Sequence, residues 1–209
     1  MGAMEPSQQP PSAPQPPHSL KKAAQRQHYQ TLRRSQSAED RARANDAIRK
    51  NISTLIRNLR AKRVAVYAAD ADEPGGVGLA DYVLSLHCEV WLPVSLPQGV
   101  LEWGQFTGPE SLTGKRYGIP EPAQPHYTSA LLSELDLVFV PALAATARGI
   151  RLGKGGGYYD RALEHCHTPT ALLLFEHEAN QTIVTHPHDA ACDWTITPGS
   201  IQANLIEPT

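Results

Sequence analysis

The stretch Leu135-Asp136-Leu137-Val138-Phe139-Val140, stopped by Pro141, constrains the fold more than any other part of the chain. Four consecutive apolar, β-prone residues cannot alternate between core and water, so the strand they form must be covered on both faces. That is the environment of a parallel sheet. Shorter runs of the same kind occupy residues 64–68, 90–94 and 171–175, and helical patterns at residues 79–86 and 158–166 lie between strands. Strands spaced by helices predict an α/β fold with a mostly parallel sheet. Residues 95–130 are rich in Gly and Pro and read as loops and a hairpin bounding a cleft, with a further strand at 100–106. In such sheets ligands bind beyond the carboxyl ends of the strands.

The front of the chain reads differently. Residues 20–34 form a basic helical segment, and Ser37-Ala38-Glu39-Asp40 opens a second helix with a capping-box pattern. Behind it Ala44, Ile48, Ile52, Leu55 or Ile56, and Leu59 make one apolar stripe for packing on the sheet, with the arginines between them as a solvated face. Residues 1–19 hold six of the 18 prolines and little apolar content. They are expected to be a disordered tail, with Met1-Gly2-Ala3-Met4 reading as an expression scar. The remaining residues, 20–209, are expected to form a single domain.

Composition excludes several classes. No run approaches the roughly 20 apolar residues of a membrane span, and the polar start lacks the apolar core of a secretion signal. Cys88, Cys166 and Cys192 are widely spaced and form no CxxC, so neither a disulfide framework nor a thiolate zinc site is readable. A reducing, cytoplasmic compartment fits. The net charge of −2 hides a split: residues 20–63 carry +10, whereas the chain from Val64 onward carries −11. A basic front on an acidic body either attracts a polyanion such as nucleic acid or folds onto its own domain and a phosphate ligand.

After the buried strand comes Arg148-Gly149-Ile150-Arg151-Leu152-Gly153-Lys154-Gly155-Gly156-Gly157-Tyr158-Tyr159-Asp160-Arg161. Its glycines let backbone amides turn around an anion, and the helix expected to begin near Tyr158 points its positive end at the same place. Arg151 and Lys154 supply cations for phosphate oxygens, and Asp160 suits the Mg²⁺ of a nucleoside triphosphate. The run is neither a P-loop nor an opening dinucleotide fingerprint.

Together with Asp136-Leu137-Val138-Phe139-Val140-Pro141-Ala142-Leu143-Ala144, the run Gly149 to Asp160 resembles the signature of the 5-formyltetrahydrofolate cyclo-ligases, or methenyltetrahydrofolate synthetases. The resemblance implies a three-layer fold of the NagB/RpiA/CoA-transferase-like kind, with a mostly parallel sheet and helices on both faces. It implies ATP contacts at Lys22, Arg26, Arg151, Leu152, Gly153, Lys154, Gly155, Gly156, Gly157, Tyr158 and Tyr159. Folate contacts are implied at Ala68, Glu73, Tyr117 (beside Gly118-Ile119-Pro120-Glu121-Pro122), Lys154, Gly155, Gly156, Gly157 and Tyr158. Asp160 and Asp189 match the family's Mg²⁺ aspartates. Arg151, Lys154 and Tyr158 match its catalytic positions, Tyr158 either steadying the formyl group or packing.

The implied reaction converts ATP and 5-formyltetrahydrofolate, polyglutamylated or not, to 5,10-methenyltetrahydrofolate, ADP and phosphate in a monomeric enzyme. The matched Lys22 and Arg26 favour the self-docking reading of the basic front. Two departures fall on the expected folate side: Glu178 stands where the family has glutamine, and Pro74-Gly75-Gly76 replaces its usual Ile-x-Thr. They keep an altered-substrate or non-catalytic paralogue open beside the enzyme, with a nucleic-acid module as a more distant rival. His165, His167, His177, His186 and His188 suggest no zinc site, since His165 and His167 do not share a helical face.

Overall fold

The computed structural model describes residues 18–204 except Tyr117, Pro187 and His188. The expected tail therefore lies outside the described residues up to residue 17, and the first helix takes in its last two positions. Helix α1 (His18–Ser35) and helix α2 (Ala38–Leu59) lead the chain. Ser37 caps α2 as the pattern predicts: its Oγ accepts the Asp40 amide at 3.0 Å and donates to Asp40 Oδ2 at 2.6 Å. The α2 stripe is buried at Ile48, Ile52, Leu55 and Ile56. The arginines of α2 are not all a solvated face, however. Arg49 donates to the carbonyls of Gly75 and Val77, and Arg41 pairs with Asp72 at 2.9 Å.

Then follow β1 (Arg63–Ala65), α3 (Leu79–Ser85), β2 (Glu89–Ser95), β3 (Leu101–Phe106), the hairpin β4 (Leu112–Arg116) and β5 (Ile119–Pro122), and β6 (His126–Thr128). The second half holds β7 (Leu137–Pro141), β8 (Ala144–Ala145), β9 (Arg151–Leu152), α4 (Tyr158–Ala162), β10 (Thr170–Leu173), β11 (Trp194–Ile196) and β12 (Ile201–Ala203). The main sheet runs β12-β11-β10-β7-β1-β2-β3-β6. Its five central strands, β11 to β2, are mutually parallel, and the outer strands are antiparallel.

The apolar runs are explained by this placement. Along β7, Leu137 and Phe139 face the core under α2 and α3, while Val138 and Val140 face a second core with Trp103, Leu132 and Ala162. All four are fully buried. Each residue is committed to one side of the pleat, and both sides are dry.

α4 is much shorter than the expected helix over 158–166. Past Ala162 the backbone bonds tighten from i−4 to i−3, the Glu164 amide on the Arg161 carbonyl and the Cys166 amide on the Leu163 carbonyl, so the chain leaves the helix through turns before it pairs at Thr170 with Val138. From β1 the chain proceeds outward to β2 in one direction, and from β7 to β10 and β11 in the other. The order of strands therefore reverses between β1 and β7, and a crevice opens at their carboxyl ends.

Candidate active site

Beyond β1 the chain turns through Tyr67, Ala68, Asp70 and Glu73. Glu73 is nearly buried, with one carboxylate oxygen accepting the Asp70 amide at 3.0 Å and the other 2.7 Å from Lys154 Nζ. The Tyr67 hydroxyl donates to the Pro74 carbonyl at 2.8 Å. Burial, followed by the charge of Glu73, raises the Tyr67 pKa far above its ordinary value, so it stays a neutral donor. Pro74-Gly75-Gly76 turns away onto α2, where Asn45 Oδ1 accepts the Gly75 amide at 3.0 Å. Gly76 sits at φ 66°, and a Cβ there would stand 2.5 Å from Asn45 Nδ2. This departure from the family pattern fits a turn against the helix and does not line the crevice.

Opposite, beyond β7, Pro141 and Ala142 form the other wall, and the short β8–β9 ribbon carries the glycine loop over the opening. A cavity of about 300 Å³ lies between them. It is lined by Ala68, Glu73, Arg151, residues 153–159 and Asp160, together with Tyr67, Ile119 and apolar residues of β2 and β3. The sequence-predicted positions on both sides of the crevice are thus brought to one place.

Arg151 is buried in β9 and pairs with the largely exposed carboxylate of Asp160. The loop then turns outward with Lys154 half exposed, and Gly155 at φ 101° lies against the Arg26 guanidinium. At Gly157, φ is 67°, a left-handed conformation that favours glycine, and a Cβ there would displace the Arg161 guanidinium, whose Nη1 would lie 2.4 Å away. The five residues of α4 are too few for the helix-end attraction expected from the sequence. The positive charge at this end of the cavity comes from the Arg151 and Lys154 side chains, paired with Asp160 and Glu73.

Tyr158 reaches the Leu96 carbonyl at 3.3 Å. The Tyr159 hydroxyl is buried without a hydrogen-bond partner, its ring set edge-on to Trp103, and burial drives its pKa strongly upward.

Helix α1 lies across these ends. Tyr29 packs on Leu143, Ala144, Leu152 and Ile183, which makes Leu152 a packing residue and not part of the cavity wall. Arg26 Nε donates to the Gly153 carbonyl at 2.9 Å, and Lys22 Nζ lies 2.9 Å from Asp189 Oδ2. Burial works against the Asp189 charge, but Lys22 and the His186 amide outweigh it, and the carboxyl falls below its usual range. The basic front therefore folds onto its own acidic body. Tyr117 lies outside the described residues.

Sequence reasoning missed the buried pair of Arg33 and Glu178. Arg33 Nε and one terminal nitrogen contact the two Glu178 oxygens at 2.6 and 2.9 Å; that nitrogen also donates to the Ala142 carbonyl, and Glu178 accepts the Phe175 amide. Burial opposes the Arg33 charge, yet Glu178 holds its pKa above the ordinary value. Glu178 is thus fully buried and outside the lining of the cavity, and its pairing with Arg33 ties the C-terminal end of α1 to the body of the domain. The one available signal was the departure from glutamine, because a carboxylate in that place demands a buried cation. Among the described residues no three His, Cys, Asp or Glu side chains converge on a metal site, and no helix is long and apolar enough to cross a membrane.

A mostly parallel sheet whose switch-point crevice is closed by a glycine loop, a buried arginine and facing carboxylates defines an α/β enzyme that works on small molecules. The family model described as the 5-formyltetrahydrofolate cyclo-ligase family matches residues 18–198. The chain belongs to that family. A 5-formyltetrahydrofolate cyclo-ligase of Mycolicibacterium smegmatis is 30% identical over 173 residues, covering 77% of this chain and 89% of that protein. One of Haemophilus influenzae is 28% identical, covering 67% and 76%. Among solved structures, the 5,10-methenyltetrahydrofolate synthetase of Aquifex aeolicus superposes with a TM-score of 0.75 at 22% identity, covering 90% of this chain and 95% of that one. The synthetase of Mycoplasma pneumoniae gives 0.68 at 16% identity, covering 85% and 98%. These two likenesses support the α/β architecture.

Proposed function

We propose that this enzyme uses ATP and Mg²⁺ to convert 5-formyltetrahydrofolate to 5,10-methenyltetrahydrofolate with release of ADP and phosphate. The observation that carries the reading is the crevice itself, which sets the phosphate-type cations Arg151 and Lys154 opposite the nearly buried carboxylate of Glu73 in one cavity. Two ligands must meet there. The formyl oxygen attacks the γ-phosphorus as the bond to ADP breaks. N10 then attacks the activated carbon, phosphate leaves with that oxygen, and the N10 proton is lost. No protein nucleophile is consumed, so the residues contribute alignment and charge neutralisation.

Arg151 is held rigid in β9 and fits as the fixed clamp on the transferring phosphoryl group, whereas half-exposed Lys154 is free to follow the phosphates. Lys22 and Arg26 on α1 extend the cationic surface along the nucleotide. Tyr158 and the glycine amides line the junction of the two ligands, and Glu73 and Ala68 hold the folate.

The donor set suits Mg²⁺, which takes one or two carboxylates, phosphate oxygens and water: Asp160 is largely exposed at the cavity, and Asp189 is held by a cation that a metal can replace. When bound there, the ion neutralises charge on the β,γ-phosphates. The three cysteines are free thiols, in keeping with a cytoplasmic enzyme.

Mixing the folded protein with 5-formyltetrahydrofolate, ATP and Mg²⁺ should produce the methenyltetrahydrofolate absorbance, and omitting either ATP or Mg²⁺ should remove it. No absorbance change with all three present would refute the reading.

A further inference from the structure

In the chain by itself, the cations and carboxylates assigned to the ligands satisfy one another: Lys22 with Asp189, Arg151 with Asp160, Lys154 with Glu73. The last pair differs from the others, because Lys154 belongs to the phosphate side and Glu73 to the folate side of the cavity. Its asymmetry is informative. The Lys154 side chain is 49% exposed, with Asp70 Oδ2 a further 3.9 Å from its ammonium, and it can leave for a phosphate without losing water. Glu73 is only 9% exposed, with its second oxygen already taken by the Asp70 amide. Leaving its first oxygen without a partner carries a cost, since a buried charge is disfavoured when uncompensated.

We propose that the Lys154–Glu73 pair couples the two ligands. Nucleotide phosphates draw Lys154 away from Glu73, and the released carboxylate accepts N–H groups of the folate. Either ligand alone must break the pair; the second finds it broken, so each raises the affinity of the other and nucleotide binding prepares the folate site. This inference rests on the ATP-and-folate reading above. For a pair with one exposed partner the coupling should be roughly threefold to tenfold.

Calorimetry on the wild-type protein would compare 5-formyltetrahydrofolate binding with and without a non-hydrolysable ATP analogue and Mg²⁺. The analogue should tighten folate binding by that factor. Glu73→Gln, which keeps an acceptor for the Asp70 amide, should bind the analogue alone roughly threefold to tenfold more tightly than wild type and show no coupling. Asp72→Asn removes a neighbouring charge that Lys154 does not touch. It should leave nucleotide affinity within about twofold of wild type and the coupling intact, which separates release of Lys154 from a general gain in positive potential. Folate affinity that ignores the analogue, or a folded Glu73→Gln with unchanged or weaker nucleotide binding, overturns the coupling while leaving the enzyme assignment in place. Failure of the folded wild type to bind either ligand overturns both.

Discussion

Replacing Glu178 with alanine removes both carboxylate oxygens that Arg33 contacts, from a site where the side chains are 4% and 0% exposed. The guanidinium keeps only the Ala142 carbonyl, and the Phe175 amide loses its acceptor. Breaking one side of a buried pair costs about 3–5 kcal/mol. For a chain of this size that corresponds to roughly 6–20 °C in melting temperature. Replacing both residues, Arg33→Leu with Glu178→Gln, removes the charges together and leaves an acceptor for the Phe175 amide. The double variant should therefore be more stable than Glu178→Ala and fall well short of the summed single losses, with a coupling of at least about 2 kcal/mol. Urea denaturation followed by circular dichroism measures all variants. A loss below about 1 kcal/mol for Glu178→Ala, or additive single effects, would show that the pair does not anchor α1.

Arg151→Ala should lower turnover by at least about a hundredfold while the thermal transition stays cooperative, as single-turnover kinetics would show. Gly157→Ala forces a Cβ into a left-handed turn against Arg161 and should cost about 1–2 kcal/mol, read by thermal melting. Asn45→Ala strips the Gly75 amide of its acceptor and should destabilise by about 1 kcal/mol in the same assay. The Asp189 pKa is depressed, so the contribution of its contacts is complete above the ordinary aspartate pKa and is lost as pH falls through the lower folded value. A stability profile over that acid range should be flatter for Asp189→Asn than for wild type.

The central strands were legible because full burial leaves a compositional trace: β7 reads as apolar at every position from Leu137 to Val140, and α2 announces itself through Ser37 and its stripe. Its arginines misled, since Arg41 and Arg49 reach Asp72 and the Gly75 and Val77 carbonyls, partners set by tertiary placement. The helix after the glycine loop was drawn too long because apolar periodicity continues into Leu163, while the turn toward β10 is decided by a pairing partner elsewhere in the sheet. Within the site, Arg151, Lys154 and the glycines could be named from local chemistry. The pairings between distant parts of the chain could not: Lys22 meets Asp189 across 167 positions and Arg33 meets Glu178 across 145, distances over which spacing carries no signal. The burial of Glu178 went unforeseen for that reason, since nothing local to it announces Arg33.

The most direct measurement of the central claim follows one atom. With ¹⁸O in the formyl group of 5-formyltetrahydrofolate, turnover in the presence of ATP and Mg²⁺ should place the label in inorganic phosphate, one equivalent for each methenyltetrahydrofolate formed. Label appearing in water, or phosphate released without it, would contradict phosphorylation of the formyl oxygen in this crevice.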